Sequence, residues 1–362
     1  MTGPTGFFGL LEGWDGVAVV VRRDQPTGTW IIVVIDDDTL GPATGGCRMK
    51  VYARPEDGLL DGLRLAKGMT YKWAAMDFPF GGGKTVLAIP RELDAEERRG
   101  LMHRFGDLLN SLGGRYGTGA DLGTTAEDMK AIAEVSEYVI GVHGREEGPM
   151  DPSPFTALGV LEGLKSALRH RYGDDALDGR SVLVQGVGAV GGSLAERIVA
   201  AGGTVLLSDT DTDRVGAIAA RVGGEVVAPA EVYATQCDVY APCAVGATLN
   251  SDTIPRLRCE IVAGAANNQL GEAKDAERLR ERGILYAPDY VINGGGAMAF
   301  TLIHQGVDEI PELERRVCSI GTHLESIFRE AAERDESPVV AARAHAERIL
   351  LRGPKSGAAS SF

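Results

Sequence analysis

The hydrophobic positions of this chain change period several times along its length, and each change marks an element. Val17-Ala-Val-Val-Val21 and Trp30-Ile-Ile-Val-Val-Ile35 are short β-branched runs separated by the turn-forming Pro26-Thr-Gly28, and they predict two strands. Thr85-Val-Leu-Ala-Ile89 predicts a third. Residues from about Arg54 to Met76 carry apolar side chains at helical spacing nearly all round, and about Ala95 to Leu112 and Thr125 to Tyr138 predict two more helices. The pattern then breaks at Val142-His-Gly-Arg-Glu-Glu-Gly-Pro-Met-Asp-Pro-Ser-Pro154, whose three prolines and two glycines have the composition of a linker. A domain boundary is expected there, with one domain over 1–145 and a second over 150–325. The second domain opens with strand and helix patterns in alternation. Beyond about residue 310 the pattern is wholly helical, and the helices of about 326–352 are expected to return to the first domain. Gly353 to Phe362 is small and polar, as a disordered tail would be.

Composition narrows the class of partner. A chain of 362 residues with 44% hydrophobic content can bury two cores. Its formal net charge of −14 disfavours nucleic acid and anionic membrane surfaces, which leaves a small molecule. The five cysteines are odd in number and scattered, without C-x-x-C spacing or a nearby histidine, so reduced intracellular thiols are expected and a zinc site is not. No charged n-region with an apolar core opens the chain, so no leader is expected, and no apolar run approaches the roughly 20 residues that span a bilayer. A cytoplasmic location follows as an expectation.

Two lysines twelve positions apart carry the first chemical signal: Lys72, and Lys84 directly behind Gly81-Gly-Gly83. Glycines let a backbone approach a ligand closely, and a lysine held beyond such a loop can be desolvated until its pKa falls. Lys72 shares a helical stripe with Leu65, Met69 and Met76, whereas Lys67 lies on the opposite side near Leu60 and Leu63. Because that helix is apolar nearly all round, periodicity alone does not choose between the lysines.

The second signal is Ser181-Val-Leu-Val-Gln185 feeding directly into Gly186-Val187-Gly188-Ala189-Val190-Gly191, followed by a helix pattern to Ala201. A G-x-G-x-x-G match is weak in a chain with 49 glycines. The context strengthens it, because the strand candidate Thr204–Ser208 ends at Asp209, 23 residues beyond Gly186, where an acid can hold a ribose 2′-hydroxyl. Gly186 would permit the tight turn, Gly188 the approach of a pyrophosphate to the helix N-terminus, and Gly191 the packing of helix on sheet. Asp209 would repel a 2′-phosphate, so NAD is expected rather than NADP.

Several blocks in one order resemble the glutamate/leucine/phenylalanine/valine dehydrogenase family, especially its leucine-type branch. They are Leu40-Gly-Pro-Ala-Thr-Gly-Gly46, Arg64-Leu-Ala-Lys-Gly-Met-Thr-Tyr-Lys72, Gly81-Gly-Gly-Lys84, Ala120-Asp-Leu-Gly-Thr-Thr125, Val184-Gln-Gly-Val-Gly188, Tyr240-Ala-Pro-Cys-Ala244, Ala263-Gly-Ala-Ala-Asn-Asn-Gln269 and Ala287-Pro-Asp-Tyr-Val-Ile-Asn293-Gly-Gly-Gly. The resemblance implies an α/β fold of two domains: an N-terminal α/β substrate and oligomerisation domain and a Rossmann-type NAD-binding domain, with a cleft between them and a homo-oligomeric assembly. It implies Lys72 as the binder of the substrate α-carboxylate. Lys84 becomes the catalytic lysine, its pKa lowered by burial and by the second cation, and Asp121 the acid/base for the amino group. From the residues alone, Asp121 reads equally well as a helix N-cap before Thr124-Thr125. Asn268 is implied at the substrate, with Gly45 and Gly46. Asn267, Asn293, Thr156, Cys243 and Ala244 are implied on the cofactor side. No metal is called for, since the lysines supply the positive charge.

The substrate side chain is read from Thr44, where glutamate enzymes of this family carry a lysine for the second carboxylate. Burying that carboxylate without a cation costs several kcal/mol, so an apolar side chain is expected. Thr44, Met69, Gly119, Ala120, Ala297 and Phe300 align with the pocket wall. Thr44 and Gly119 are smaller than the leucine-type pattern, whereas Phe300 is larger. The expected reaction is NAD-dependent, reversible oxidative deamination of a leucine, valine or isoleucine class amino acid to the 2-oxo acid and ammonia. Alternatives are a phenylalanine or tryptophan preference with the same chemistry, an amine dehydrogenase, and a non-catalytic NAD sensor. Trp73 and Asp36 depart from the common Asn and His, and nothing in the sequence explains either.

Overall fold

The N-terminal hairpin follows directly from its sequence. After a short helix α1 (Phe7–Leu11), strands β1 (Ala18–Arg23) and β2 (Trp30–Asp37) pair antiparallel, with Ala18 opposite Ile35 and Arg23 opposite Trp30. In the turn the Thr27 hydroxyl donates to the Asp24 carboxylate at 2.6 Å, and Gly28, at φ +71°, donates its N–H to the Asp24 carbonyl. A computed structural model of the chain describes residues 6–142, 151–307 and 309–354. Two compact units result, Met1–Met150 with Ala346–Phe362, and Asp151–His345. The expected linker lies mostly outside the described residues, as does most of the expected tail.

In the first unit the hairpin is joined by β3 (Ala43–Val51), α2 (Pro55–Ala75), β4 (Gly81–Ile89), α3 (Ala95–Ser111), β5 (Tyr116–Ala120) and α4 (Ala126–Ala133). The sheet order is β1-β2-β4-β3-β5, with β4 antiparallel to β2, and β3 parallel to both β4 and β5. Alternation along the strands divides two cores. Ile31, Val33, Ile35, Cys47, Met49, Leu87 and Ile89 pack with Leu101 and Phe105 of α3, while Ile32, Val34, Val86 and Ala88 pack with Leu59, Leu63 and Ala66 of α2. Each fully buried Leu, Ile or Phe here contributes about 1.5–3 kcal/mol. Asp94 caps α3 by accepting the N–H groups of Glu96 and Glu97, and Thr125 caps α4.

Three expectations are corrected in this unit. Gly81-Gly-Gly83 is the buried start of β4 and not a loop. β3 and β5 are strands that periodicity did not predict. The helix expected to reach Tyr138 ends at Ala133, because the following residues turn back to pair with β5: Thr118 donates to the Tyr138 carbonyl and accepts from Ile140.

The second unit comprises α5 (Ser153–Tyr172), β6 (Ser181–Gln185), α6 (Ala189–Ala200), β7 (Thr204–Ser208), α7 (Thr212–Val222), β8 (Glu225–Val226), β9 (Val239–Pro242), β10 (Ile261–Val262), α8 (Asp275–Glu281), β11 (Leu285–Tyr286), α9 (Asp289–Ile292), α10 (Gly295–His304), α11 (Ile310–Arg334) and the start of α12 (Pro338–Arg352), whose residues from Ala346 on belong to the first unit. Its six strands are all parallel in the order β11-β10-β9-β6-β7-β8. This is the doubly wound Rossmann-type order, whose direction of winding reverses between β6 and β9. Helices α5 and α11 approach closely over glycine: a Cβ on Gly163 would stand 2.6 Å from the Leu324 Cδ1. α11 therefore belongs to this unit, and the return to the first begins at Ala346, later than about residue 326 as expected from sequence. No described helix is long and apolar enough to cross a membrane.

Candidate active site

The site in the first unit is built on one face of its sheet. Thr44 pairs with Gly82 and Gly117, and Gly46 with Gly119, so Thr44, Gly46, Arg48, Gly82, Lys84, Gly119 and the residue after β5, Asp121, share the face that α2 covers. Lys84 is 5% exposed, and its Nζ pairs with the Asp121 Oδ2 at 2.8 Å. Room for this pair comes from Gly46. A Cβ there would lie within hard contact of both partners. Gly45 serves the opposite contact, since its Cβ would strike the Gly83 carbonyl oxygen at 1.8 Å.

The triple glycine has the same cause. A Cβ on Gly82 would meet the Thr70 backbone nitrogen at 2.1 Å, and one on Gly83 the Tyr116 ring at 2.7 Å. α2 and Tyr116 thus press on β4 from its two faces. The Thr70 hydroxyl donates to Asp36 Oδ2 at 2.7 Å, which supplies the structural use of Asp36 that the sequence did not explain. Trp73 is also accounted for: it is buried and stacked on Phe78 with centroids 5.4 Å apart. Of the lysines on α2, Lys67 is exposed and pairs with Asp15, whereas Lys72 is half-buried beside Trp73, as is Met69 one turn earlier. Ala120, at the end of β5, is exposed and leads directly to Asp121.

Electrostatics distinguish the two members of the pair. Burial lowers the Lys84 pKa from its ordinary value; Asp121 opposes that fall, and Arg48 adds to it. Arg48 is thus a cation beside Lys84 that the sequence reading did not single out. For Asp121, burial raises the pKa but Lys84 and Arg48 outweigh it and hold the carboxyl below the usual range. Asp121 is not a helix N-cap. That place belongs to Thr125, and the Asp121 carboxylate is given over to the two cations.

In the second unit the glycine turn follows β6. Gly186, at φ +91°, donates its N–H to the Ser208 carbonyl, and a Cβ on Gly191 would strike the Gly186 oxygen at 1.9 Å. A Cβ on Gly188, the N-cap of α6, would meet no atom within 4 Å. Val187 donates its N–H to Asp209 Oδ2 at 2.8 Å, while Ala189 and Val190 form the first turn of α6. Burial raises the Asp209 pKa, but the N–H groups of Asp211 and Val187 and the nearby Arg214 bring it below the ordinary value. Ala244 and Cys243 pack against the turn, their Cβ atoms 2.6 and 3.3 Å from Cβ atoms placed on Gly186 and Gly191. Burial pushes the Cys243 thiol up to about 12.

The remaining candidates of this unit form two groups. Asn293, capping α9, donates to the Asn267 Oδ1 at 2.6 Å and to the Ala265 carbonyl. Asn268 is exposed at φ +52° and gives its carbonyl to the Ala247 N–H. Thr156 on α5 abuts Gly296, next to Ala297 and one turn before Phe300 on α10, both half-buried.

Two sequence models match the chain. The one described as "Glu/Leu/Phe/Val dehydrogenase, dimerisation domain" covers residues 19–138, and "Glutamate/Leucine/Phenylalanine/Valine dehydrogenase" covers residues 209–346. The chain belongs to this dehydrogenase family. It is 42% identical over 291 residues to the leucine dehydrogenase of Bacillus subtilis (strain 168), covering 80% of this chain and 79% of that one. It is 39% identical over 324 residues to the phenylalanine dehydrogenase of Lysinibacillus sphaericus, covering 87% and 83%. The crystal structure of L-tryptophan dehydrogenase from Nostoc punctiforme superposes with a TM-score of 0.85 at 35% identity, over 96% of this chain and 99% of that one. As a member of the Glu/Leu/Phe/Val dehydrogenase family the chain is an amino acid dehydrogenase, an oxidoreductase that uses a nicotinamide cofactor.

The residues present fit a dinucleotide. Gly186 and Gly191 are fixed by packing, whereas Gly188 leaves open the approach to the α6 N-terminus, where backbone N–H groups and the helix dipole favour a phosphate.

Proposed function

We propose that this chain catalyses NAD-dependent, reversible oxidative deamination of an apolar L-amino acid of the leucine, valine or isoleucine class, giving the 2-oxo acid and ammonia. The observation that carries this reading is the pairing of buried Lys84 with half-buried Asp121 at 2.8 Å, cleared of side chain by Gly46. Gly186 to Gly191 and Asp209 would hold NAD, which would supply the hydride acceptor for the substrate Cα. Asn267, Asn293, Thr156, Cys243 and Ala244 line its side of the reaction. Lys72 holds the α-carboxylate as a point charge, and Asn268 the amine.

The roles of Lys84 and Asp121 follow from their charges. Loss of hydride leaves an iminium, to which water must add. Lys84, able to give up its proton because it is buried, activates that water and afterwards polarises the carbonyl oxygen formed. Asp121 takes a proton from the substrate ammonium before hydride is lost and gives it to the carbinolamine nitrogen, which then leaves as ammonia; reductive amination runs the same transfers in reverse. Thr44, 2% exposed on the face of Lys84, offers no cation for a second carboxylate, which supports an apolar substrate over glutamate. Met69, Gly119 and Ala120 of the first unit, and Ala297 and Phe300 of the second, are carried over as side-chain contacts from the family resemblance.

An aromatic substrate is the second reading, favoured by the small Gly119 and Thr44 and by the likeness to phenylalanine and tryptophan dehydrogenases. We further infer a cytoplasmic homo-oligomer, the first unit matching a dimerisation domain. The test is NADH formation by purified protein with NAD and a panel of leucine, valine, isoleucine, phenylalanine, tryptophan and glutamate at alkaline pH. Turnover of an aliphatic residue supports the first reading and a preference for an aromatic one the second; silence on every amino acid, with NADH still bound, would make the chain a sensor.

A further inference from the structure

Arg48 lies two residues beyond Gly46 on β3 and therefore faces the same side of the sheet as Lys84. Its Nε donates to Asp121 Oδ2 at 3.0 Å, and its Nη1 to Asp61 Oδ2 at 2.9 Å. Lys84 Nζ reaches the same Asp121 oxygen at 2.8 Å. Asp61, on α2, is itself fixed by the Tyr52 hydroxyl at 2.8 Å and by Arg64 at 3.1 Å. The result is a chain of contacts, Tyr52–Asp61–Arg48–Asp121–Lys84, within the first unit.

We propose that Arg48 is a positioning residue: it anchors Asp121 to Asp61 so that Oδ2 stays paired with Lys84 while Oδ1 exchanges the proton with the substrate amine. This rests on the deaminase reading. With Asp121 as its only charged partner, Lys84 would hold its proton more tightly, since a nearby carboxylate favours the ammonium. A second cation on the carboxylate keeps Asp121 ionised and makes Lys84 the group that releases its proton. The charged and titratable neighbours act consistently: Asp121 beyond β5 and the Cys47 thiol on β3 favour the protonated lysine, Arg48 disfavours it, and Asp61 on α2 balances Arg48 from behind. Lys72 lies on the same helix as Asp61, three turns further on. An arginine suits this place because its planar fork spans two carboxylates at once, whereas a lysine ammonium would serve one.

The test compares wild type with Arg48→Gln and Arg48→Lys. Trace acetylation by acetic anhydride, followed by peptide mass spectrometry, reads the pH at which Lys84 becomes a free amine and requires no turnover. In Arg48→Gln the midpoint for Lys84 should rise by roughly one unit, because the nearby cation is gone. Deamination kcat should fall by about 10- to 100-fold with the amino acid KM nearly unchanged. Arg48→Lys should restore most of the midpoint and only part of kcat. An unmoved midpoint in Arg48→Gln with an active wild type rejects the role of Arg48 alone, as does a kcat loss no larger than the loss of folded protein. A wild type silent on every amino acid rejects the deaminase reading and this role with it.

Discussion

Gly46 stands so close to Asp121 that a Cβ added to it would lie 2.7 Å from the Asp121 Cβ; the Lys84 Nζ would be 3.1 Å away. The contact with Asp121 is to the root of a side chain and not to a flexible tip, so one partner of the ion pair must move. Gly46→Ala should therefore cut deamination by at least about 100-fold, as expected when a general acid/base is misplaced. Thermal unfolding should change little, because the strand pairing of β3 is untouched. Steady-state kinetics beside a melting curve checks this, and an alanine variant with near wild-type kcat would show that the pair is not the reacting group.

The pH dependence follows from the sign of the Lys84 shift. Burial disfavours the ammonium, Asp121 restores part of it and Arg48 removes part again, leaving the pKa below the ordinary lysine value. If the free amine activates water, kcat/KM for deamination rises with pH and levels off above a pKa lower than about 10.4. Lys84→Ala should remove turnover while leaving NADH binding nearly unchanged. A pH–rate profile with fluorescence titration of NADH measures both. A rise only at the ordinary lysine value would contradict the buried, lowered pKa.

Cofactor preference should depend on Asp209. Its carboxylate accepts the N–H groups of Val187 and Asp211 and lies 3.5 Å from Arg214. On the proposed reading, Asp209→Ala would remove both the ribose acceptor and the charge that repels a 2′-phosphate, and it leaves Arg214 without that carboxylate. NAD affinity should weaken by about 10- to 100-fold, as for a lost hydrogen bond to a charged group, and discrimination against NADP should shrink. The ratio of kcat/KM for the two cofactors is the measure; an unchanged ratio would mean that the ribose lies elsewhere.

Legibility in the sequence tracked side-chain size. β1, β2 and the end of β4 carry large β-branched residues, so alternation revealed them. β3 and β5 carry Gly45, Gly46, Gly117 and Gly119, which give no apolar signal even though the strands lie next to β4 or one strand beyond it. The glycine turn of the second unit was readable because its spacing is local and the acid follows at a fixed distance. Arg48 and Asp61 were not readable, since nothing local joins a charge on a strand to one on the next helix; only the fold brings them to 2.9 Å. The available hint was that Arg48 has the same strand parity as Gly46, and that Asp61 lies four residues before Leu65 on the stripe that leads to Lys72.

The glycine-lined end of the first sheet also limits how the enzyme can diversify. Gly45, Gly82 and Gly83 each abut backbone or a buried ring too closely for a Cβ, and a Cβ on Gly46 would displace the ion pair, so this floor offers no mutational freedom at intact chemistry. On the proposed function, drift from one amino acid substrate to another would then be written in the bordering positions, such as Thr44, Met69 and Ala120. A library confined to that border samples new specificities at intact chemistry, while one that includes the floor is spent mainly on inactive protein.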